Sequence, residues 1–168
     1  MLSRLDAGRL KLQVCPVNFT QLIEASLDDL SAVPDEVDIA VETDFPSDLL
    51  VFGEKRYTSI ILQNLLENAR KYNRPGGRIR VSARVEENRV KVVIANTGPA
   101  IPANARGHIF ERFHRGAVGE NVPGYGLGLN LARELARLHR GELSLTRSDL
   151  EWTEFELTLP WAEKKTPA

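Results

Sequence analysis

The sequence is poor in the residue types that build disulfide frameworks and metal clusters. Among its 168 residues there are one cysteine and three histidines, so neither an internal disulfide nor a cysteine-rich metal site is possible. The histidines also lack the spacing of a zinc site, and we interpret them as solvated or capping residues. They are His108, His114 and His139. The net charge of −1 gives no support for a nucleic-acid partner held by bulk charge.

Long apolar runs are also absent from the sequence. No stretch approaches the ~20 residues that a membrane-spanning helix needs, and the chain does not open on a signal peptide. We therefore expect a soluble domain without membrane contact of its own. With 42% apolar and 27% charged residues the composition is that of an ordinary globular protein, and 168 residues suit one domain with a full core.

The hydrophobic periodicity predicts a mixture of helices and strands. Where apolar and polar residues alternate we expect strands with one wet face. The fold class is therefore predicted to be α/β, a two-layer sandwich in which a mixed, mostly antiparallel sheet has helices on one face. The predicted helices are 19–30, 54–73 and 127–138 with a short piece at 105–113, and the predicted strands are 10–17, 37–43, 49–52, a hairpin over 78–96 with its turn at 86–88, 143–145 and 155–159.

The segment QNLLENARKYN, residues 63–73, carries polar residues on a helix that also has an apolar face. Asn64 and Asn68 are one turn apart, and Lys71 and Tyr72 continue the same row. Asparagine is a mediocre helix former, because its amide competes for backbone hydrogen bonds. The row therefore indicates a polar ligand bound along the helix.

Three further segments have compositions that are typical of ligand-binding loops and also of plain turns. ANTGPAIP, residues 95–102, ends the hairpin with an asparagine, a glycine and two prolines, and IFERFHRG, residues 109–116, is an aromatic loop. GYGLGLNLARELARLHRGEL places Gly124, Gly126 and Gly128 directly before a helix, whose N-terminus offers unpaired N–H groups to an anion.

In this order the four segments resemble the N, G1, F and G2 boxes of the sensor histidine kinases, members of the GHKL superfamily. The resemblance implies a Bergerat ATP-binding fold (HATPase_c) that uses ATP and Mg²⁺. It also implies a division of the chain, in which residues 1–9 resemble the end of a dimerisation helix with its linker, 10–162 the catalytic ATP-binding domain, and 163–168 a frayed tail.

The resemblance also assigns roles to individual residues. Asn68 is similar to the asparagine whose side-chain oxygen binds Mg²⁺ between the ATP phosphates, and an oxygen ligand suits this hard ion. Asn96 is similar to the residue that binds adenine. The set of ATP-binding residues that the resemblance implies is Asn64, Asn68, Lys71, Tyr72, Asn96, Gly98, Ala100, Ile101, Phe113, Arg115, Gly124, Tyr125, Gly126, Leu127, Gly128, Leu129 and Thr153.

Three positions depart from the family pattern. Asn96 stands where an aspartate usually accepts a hydrogen bond from the adenine amino group, and an asparagine oxygen can accept the same bond without a charge. Ala100 replaces the usual second glycine. Trp152 stands where a glycine often precedes the threonine that is kept here as Thr153. We expect adenine recognition to survive these changes.

The residue one turn before Asn68 separates the chemistries of the superfamily. ATPases such as gyrase place a glutamate there to activate water, whereas this chain has Asn64, which cannot act as a base. Glu67 directly precedes Asn68 and so points about 100° away around the helix. The resemblance therefore favours phosphoryl transfer to a protein histidine over hydrolysis.

None of the three histidines lies in a phosphoacceptor motif, so the chain has no catalytic acceptor of its own. The resemblance implies that this acceptor belongs to the dimerisation domain of a longer parent kinase, homodimeric and membrane-anchored, that acts on a response regulator. The isolated domain is expected to be monomeric. Two alternatives stay open, a regulatory or pseudokinase ATP-binding module and an anti-sigma-factor-type serine kinase.

Overall fold

The computed structural model describes residues 12–32, 38–111 and 125–163. Within these ranges, none of the helices is both long and apolar enough to cross a bilayer. The helices are α1 (Phe19–Ala32), α2 (Lys55–Lys71) and α3 (Tyr125–Leu138), and the strands are β1 (Cys15–Asn18), β2 (Ala40–Asp44), β3 (Leu50–Gly53), β4 (Arg78–Glu86), β5 (Arg89–Asn96), β6 (Glu142–Ser148) and β7 (Thr153–Pro160).

Five strands form one mixed sheet in the order β2-β4-β5-β7-β6. β2 runs parallel to β4, and the other neighbouring pairs are antiparallel. The register places Asn96, the last residue of β5, opposite Ile79 on one side and Thr153 on the other. A second, two-stranded sheet joins β1 to β3, an association that the sequence pattern does not predict.

The two-layer arrangement follows from the alternation of side chains along the strands. In β5 and β7 every second residue is at most 3% exposed and contributes to the core, namely Val90, Val92, Ile94, Phe155, Leu157 and Leu159. The residues between them, such as Lys91 and Glu156, are only partly buried. The prediction of a mixed, mostly antiparallel sheet with one wet face is confirmed.

Two sequence signals at element ends are confirmed and one is wrong. Asn18 caps α1 by accepting a hydrogen bond from the Gln21 N–H (3.1 Å). The hairpin turns at Glu87 and Asn88, whose φ values of 51° and 63° are those of a two-residue type I′ turn. The strand predicted over 10–17 is wrong at 12–14, since β1 begins at Cys15, and residues 10 and 11 lie outside the described part of the chain.

The helix predicted at 105–113 is wrong over 105–111, the part of it that the structure describes. Ala105, His108 and Glu111 each donate their N–H to the carbonyl three residues earlier, which gives successive turns rather than an α-helix. The segment is held instead by long-range contacts, because Asn130 of α3 donates to the Phe110 carbonyl (2.9 Å).

His139 joins the end of α3 to the start of α2. The side chain is 3% exposed, its Nε2 accepts from the Glu54 N–H (3.1 Å), and its Nδ1 donates to the Leu135 carbonyl (2.7 Å). Glu54 is the N-cap of α2 and makes no side-chain cap of its own. The interpretation of His139 as a capping residue is therefore confirmed.

Asp149 holds the turn between β6 and β7. Its Oδ1 accepts from the N–H groups of Glu151 and Trp152, both at 2.8 Å, and its Oδ2 accepts from Arg147 Nε at 2.6 Å. These bonds lower the pKa of Asp149 from 3.8 to about 2, and the bond from Trp152 has the largest effect. The turn leads directly into Thr153 at the start of β7.

We expect this turn to lose a stabilising charge in acid. A carboxyl group with a lowered pKa stabilises the fold above its unfolded-state pKa, and the contribution is lost as the pH falls through the folded-state pKa, here from about 4 to about 2. The difference in free energy of unfolding between the wild type and Asp149→Asn, measured with urea, should be constant at neutral pH and shrink over this range. An Asp149 carboxyl carbon that titrates near pH 4 in NMR spectra would contradict this account.

Candidate functional site

The polar row of α2 faces a cleft between α2 and α3. On the opposite side of the helix, Ile61, Leu62, Leu65, Leu66 and Ala69 are at most 2% exposed in the core. Because this buried face fixes the rotation of α2, Asn64 and Asn68 are directed into the cleft, where both are half-buried. The cleft is lined by Asn64, Glu67, Asn68, Lys71 and Tyr72 on one side and by Gly128 and Leu129 on the other.

Asn64 brings an unpaired hydrogen-bond donor to the cleft. Its Nδ2 is buried and has no hydrogen-bond partner among the residues that the structure describes. The side chain lies beside α3, where a Cβ added at Gly128 would be 3.8 Å from Asn64 Oδ1. A buried amide without a partner costs about 1–3 kcal/mol, so a ligand atom that accepts a hydrogen bond from it would be favoured.

The start of α3 differs from the sequence prediction. The pattern predicts that Gly126 and Gly128 precede the helix, but α3 begins at Tyr125 and includes both glycines. The first turns of α3 therefore lie close to the row of α2 through Gly128, which lines the cleft.

Asn96 lies at the end of β5 on the helix-facing side of the sheet and is 3% exposed. Its Nδ2 donates to the carbonyl of Thr97 (2.8 Å). This bond orients the amide so that Oδ1 is the atom left to accept from a ligand. The predicted adenine-binding residue therefore presents an acceptor towards the helical layer.

Thr153 and Ile101 meet next to Asn96. Thr153 is opposite Asn96 in the register, and its Oγ1 is 2.8 Å from the Oγ of Ser148. Ser148 Oγ also accepts from the Ile101 N–H (2.8 Å), and Arg106 Nε donates to the Ile101 carbonyl (3.1 Å). Hydrogen bonds thus bring together three predicted site residues that are distant in sequence.

Gly98 brings the loop after β5 against the end of α2. Its φ of 132° is in the region that favours glycine, and a Cβ at this position would be 2.2 Å from the Tyr72 carbonyl oxygen. A side chain is excluded for both reasons. The close approach of these two backbones connects the cleft lined by the row of α2 to the strand-end cluster around Asn96.

Sequence reasoning missed the residues that make this connection. Thr97 Oγ1 donates to Asn73 Oδ1 at 2.6 Å. Asn73 directly follows the polar row, and Thr97 directly follows Asn96. Their position next to predicted site residues is the one feature of the sequence that could have indicated them. Ser148 was also missed, and it lies in a strand where no motif marks it.

The remaining predicted site residues lie in the loop after β5, at the start of α3, or outside the described part of the chain. Ala100 is half-buried in the loop after β5, and Gly126 is known only as a residue of α3. The residues or side chains outside the described part of the chain are Phe113, Arg115, Gly124, Tyr125 and Leu127.

Trp152 packs on the outer face of the sheet, away from the cleft. The guanidinium groups of Arg78 and Arg80 lie 5.1 Å and 4.4 Å from its ring centroid, and Trp152 is only 6% exposed. Glu42 pairs with Arg80 Nε at 3.1 Å. The bulky Trp152 is therefore accommodated without filling the site.

The charged groups of the cleft lie at its rim. Lys71 is exposed, and so is Glu67, which the sequence places away from the ligand but which also borders the cleft. The direction of Glu67 relative to a bound ligand stays a prediction. The described residues contain no group of three or more His, Cys, Asp or Glu that could hold a metal ion, so a metal here would depend on amide oxygens.

The architecture and the cleft define the class of protein. The chain superposes on a mycobacterial sensor histidine kinase, MprB, with a TM-score of 0.78 and 30% identity over 88% of this chain and 98% of that one. It superposes on full-length ShkA with a TM-score of 0.81 and 25% identity over 99% of this chain and 35% of that one. The domain is an ATP-binding catalytic domain of the sensor histidine kinase type.

The family model described as "Histidine kinase-, DNA gyrase B-, and HSP90-like ATPase" matches residues 53–163, and the chain belongs to this family. A similar curated protein is the signal transduction histidine-protein kinase/phosphatase MprB of Mycolicibacterium smegmatis, 32% identical over 145 residues. The aligned part is 86% of this chain and 28% of that protein. The chain therefore spans less than a third of this relative.

The contact between Gly98 and Tyr72 predicts that adding a Cβ at Gly98 destabilises the fold. Gly98→Ala should lower the free energy of unfolding by about 1–3 kcal/mol, because an alanine at this φ is strained and its Cβ would overlap the Tyr72 carbonyl. Gly107→Ala is the matched control, since a Cβ there has nothing within 4 Å. Urea denaturation that finds equal losses for the two variants would contradict the proposed contact.

Proposed function

We propose that this domain binds Mg²⁺–ATP in the cleft between α2 and α3 and transfers the γ-phosphoryl group to a histidine on a separate dimerisation domain. The observation that carries the proposal is the cleft itself, in which Asn64 and Asn68 face the start of α3. ShkA, which shares the fold, was solved in complex with AMPPNP. Both points favour a nucleotide as the ligand.

The phosphate end of the ligand would lie between α2 and α3. The unpaired Nδ2 of Asn64 supplies a donor for a phosphate oxygen, and Lys71 at the rim supplies a positive charge. The first N–H groups of α3 favour an anion because they have no intrahelical acceptor. Phe113, Arg115 and Gly124 lie outside the described residues, and we assign them to phosphate binding only from the family that the sequence resembles.

Asn68 would hold Mg²⁺ through its side-chain oxygen. Because the described residues offer no acidic cluster, the other ligands would be phosphate oxygens and water, which is the usual way that Mg²⁺ is bound in phosphoryl-transfer proteins. When bound, the ion neutralises charge on the transferred phosphoryl group. The role of this chain is then to fix the position of the nucleotide.

Adenine would be read at the ends of β5 and β7. The free Oδ1 of Asn96 is suited to accept a hydrogen bond from the exocyclic amine of adenine, and guanine has a carbonyl at that place. Thr153 and Ser148 keep the neighbouring strand end in position through their mutual hydrogen bond. Ile101, which packs against the core, would contribute an apolar contact to the base.

The chemistry that fits these residues is transfer rather than hydrolysis. The bond between the γ-phosphorus and the bridging oxygen of ATP breaks, a bond to the acceptor histidine nitrogen forms, and ADP leaves. Asn64 cannot remove a proton from water, and no residue of the chain is assigned as nucleophile. The rate enhancement would come from positioning and electrostatic stabilisation.

The partners that we propose are those of a sensor kinase. The parent protein would be a membrane-anchored homodimer that acts on a response regulator, with this domain monomeric and on the cytoplasmic side. The support is the relationship to MprB, which is named a signal transduction kinase/phosphatase. The comparisons give no support to a pseudokinase module or an anti-sigma-factor-type serine kinase.

We expect Mg²⁺–ATP binding to depend on Asn68. Asn68→Ala removes the metal ligand and should weaken the affinity for Mg²⁺–ATP at least about tenfold, or about 1.4 kcal/mol, in titration calorimetry. Gln63→Ala is the control, because Gln63 is exposed on the same helix and does not line the cleft. Wild-type affinity in the Asn68→Ala variant would exclude this metal site.

We expect the domain to need a separate acceptor. Incubated alone with labelled ATP, the 168-residue chain should neither label itself nor release phosphate at an appreciable rate. Mixed with a protein that carries a dimerisation hairpin and an acceptor histidine, it should form an acid-labile, base-stable phosphoprotein. Brisk hydrolysis without transfer would contradict the proposal, and loss of that hydrolysis in Glu67→Gln would identify the base responsible.

A further inference from the structure

We propose that Asn73 and Thr97 are positioning residues that set the separation between the adenine end and the phosphate end of the nucleotide site. The inference rests on the proposed function and extends it to two residues that would touch neither the metal nor the phosphates. Their side chains form a single hydrogen bond between segments 24 residues apart in sequence.

Thr97 uses both hydrogen-bonding capacities of its hydroxyl. The side chain is 1% exposed, its Oγ1 donates to Asn73 Oδ1 (2.6 Å) and it accepts from the Arg78 N–H (2.8 Å). The Thr97 N–H in turn donates to the Arg78 carbonyl (3.1 Å). The hydroxyl therefore joins the start of β4, the end of β5 and the chain that leaves α2.

Asn73 is fixed from four directions. Its Nδ2 donates to the carbonyls of Ala69 (3.3 Å) and Arg78 (2.9 Å), and its Oδ1 accepts from the Arg74 N–H (2.9 Å) as well as from Thr97. The Ala69 carbonyl is in the last turn of α2, where carbonyls lack intrahelical partners. The side chain therefore ties the end of the helix to the sheet.

The neighbours of this pair are the residues that would meet the ligand. Thr97 lies between Asn96, whose Nδ2 donates to its carbonyl, and Gly98, which contacts the backbone of Tyr72. Asn73 lies five residues after Asn68, just beyond the end of α2. A shift at the Thr97–Asn73 bond would therefore change the position of Asn96 relative to Asn68.

The hydrogen bond between Thr97 and Asn73 affects binding only for a ligand that reaches both the adenine end and the phosphate end of the site. Adenosine would meet Asn96 and leave Asn68 untouched, so it is indifferent to their separation. Mg²⁺–ATP must fit both groups at once, and misplacing one of them weakens the interaction with the other. A positioning role therefore predicts unequal losses for the two ligands, whereas a merely structural role predicts equal losses.

The test uses the whole chain with Thr97→Val, which is nearly isosteric and lacks the hydroxyl. By titration calorimetry and NMR, we expect the Kd for Mg²⁺–ATP to rise about tenfold or more and the Kd for adenosine to rise less than about threefold. Thr97→Ser keeps the hydroxyl and should restore wild-type affinity for both ligands. Asn73→Ala removes the other partner and should reproduce the unequal loss if Thr97→Val does not fold.

Thr58→Val is the matched control. Thr58 is fully buried at the other end of α2, and its hydroxyl donates to the Glu54 carbonyl (3.0 Å), so the same chemical group is removed far from the link. The control should alter stability without changing the ratio of the two Kd values. Equal losses of both ligands in Thr97→Val, or an unequal loss in Thr58→Val, would overturn the inference. A wild-type chain that does not bind Mg²⁺–ATP would instead overturn the proposed function.

Discussion

The burial of one face of α2 is the constraint on which the site depends. Leu62, Leu65 and Leu66 are at most 1% exposed, and turning the helix by one residue would move this face about 100° out of the core. The hydrophobic effect therefore fixes the rotation of α2, and through it the direction of Asn64 and Asn68. The polar groups are aimed at the cleft by apolar contacts on the other side of the same helix.

The site is built mainly from neutral groups. Asn64, Asn68, Asn73 and Asn96 are amides, and Thr97, Ser148 and Thr153 are hydroxyls, whereas the charged Glu67 and Lys71 are exposed at the rim. Burying an amide that is hydrogen-bonded is far less costly than burying a charge. These groups can therefore stay partly desolvated and fixed in position while no ligand is bound, and a charged ligand would bring the charge.

Local sequence patterns were sufficient where periodicity decides the structure. The alternation in β5 and β7 and the apolar face of α2 could be read directly, and so could the row that contains Asn64. Local sequence patterns failed where a single long-range contact determines the local structure. Nothing near Thr97 indicates a bond to Asn73, and nothing in the segment up to Glu111 indicates that Asn130 holds it in turns. The first residue of α3 was missed because glycine gives no signal for the start of a helix.

His139 caps the start of α2, so a small tilt of the helix about this end moves the opposite end by a larger distance. Asn68 lies 14 residues after Glu54, which is about 21 Å along the helix axis at 1.5 Å per residue. With the pivot at His139, a tilt of α2 by about 3° moves the Asn68 end by about 1 Å, a misplacement large enough to reduce a catalytic rate about a hundredfold. The position of Asn68 is therefore set in part by an imidazole at the opposite end of the helix.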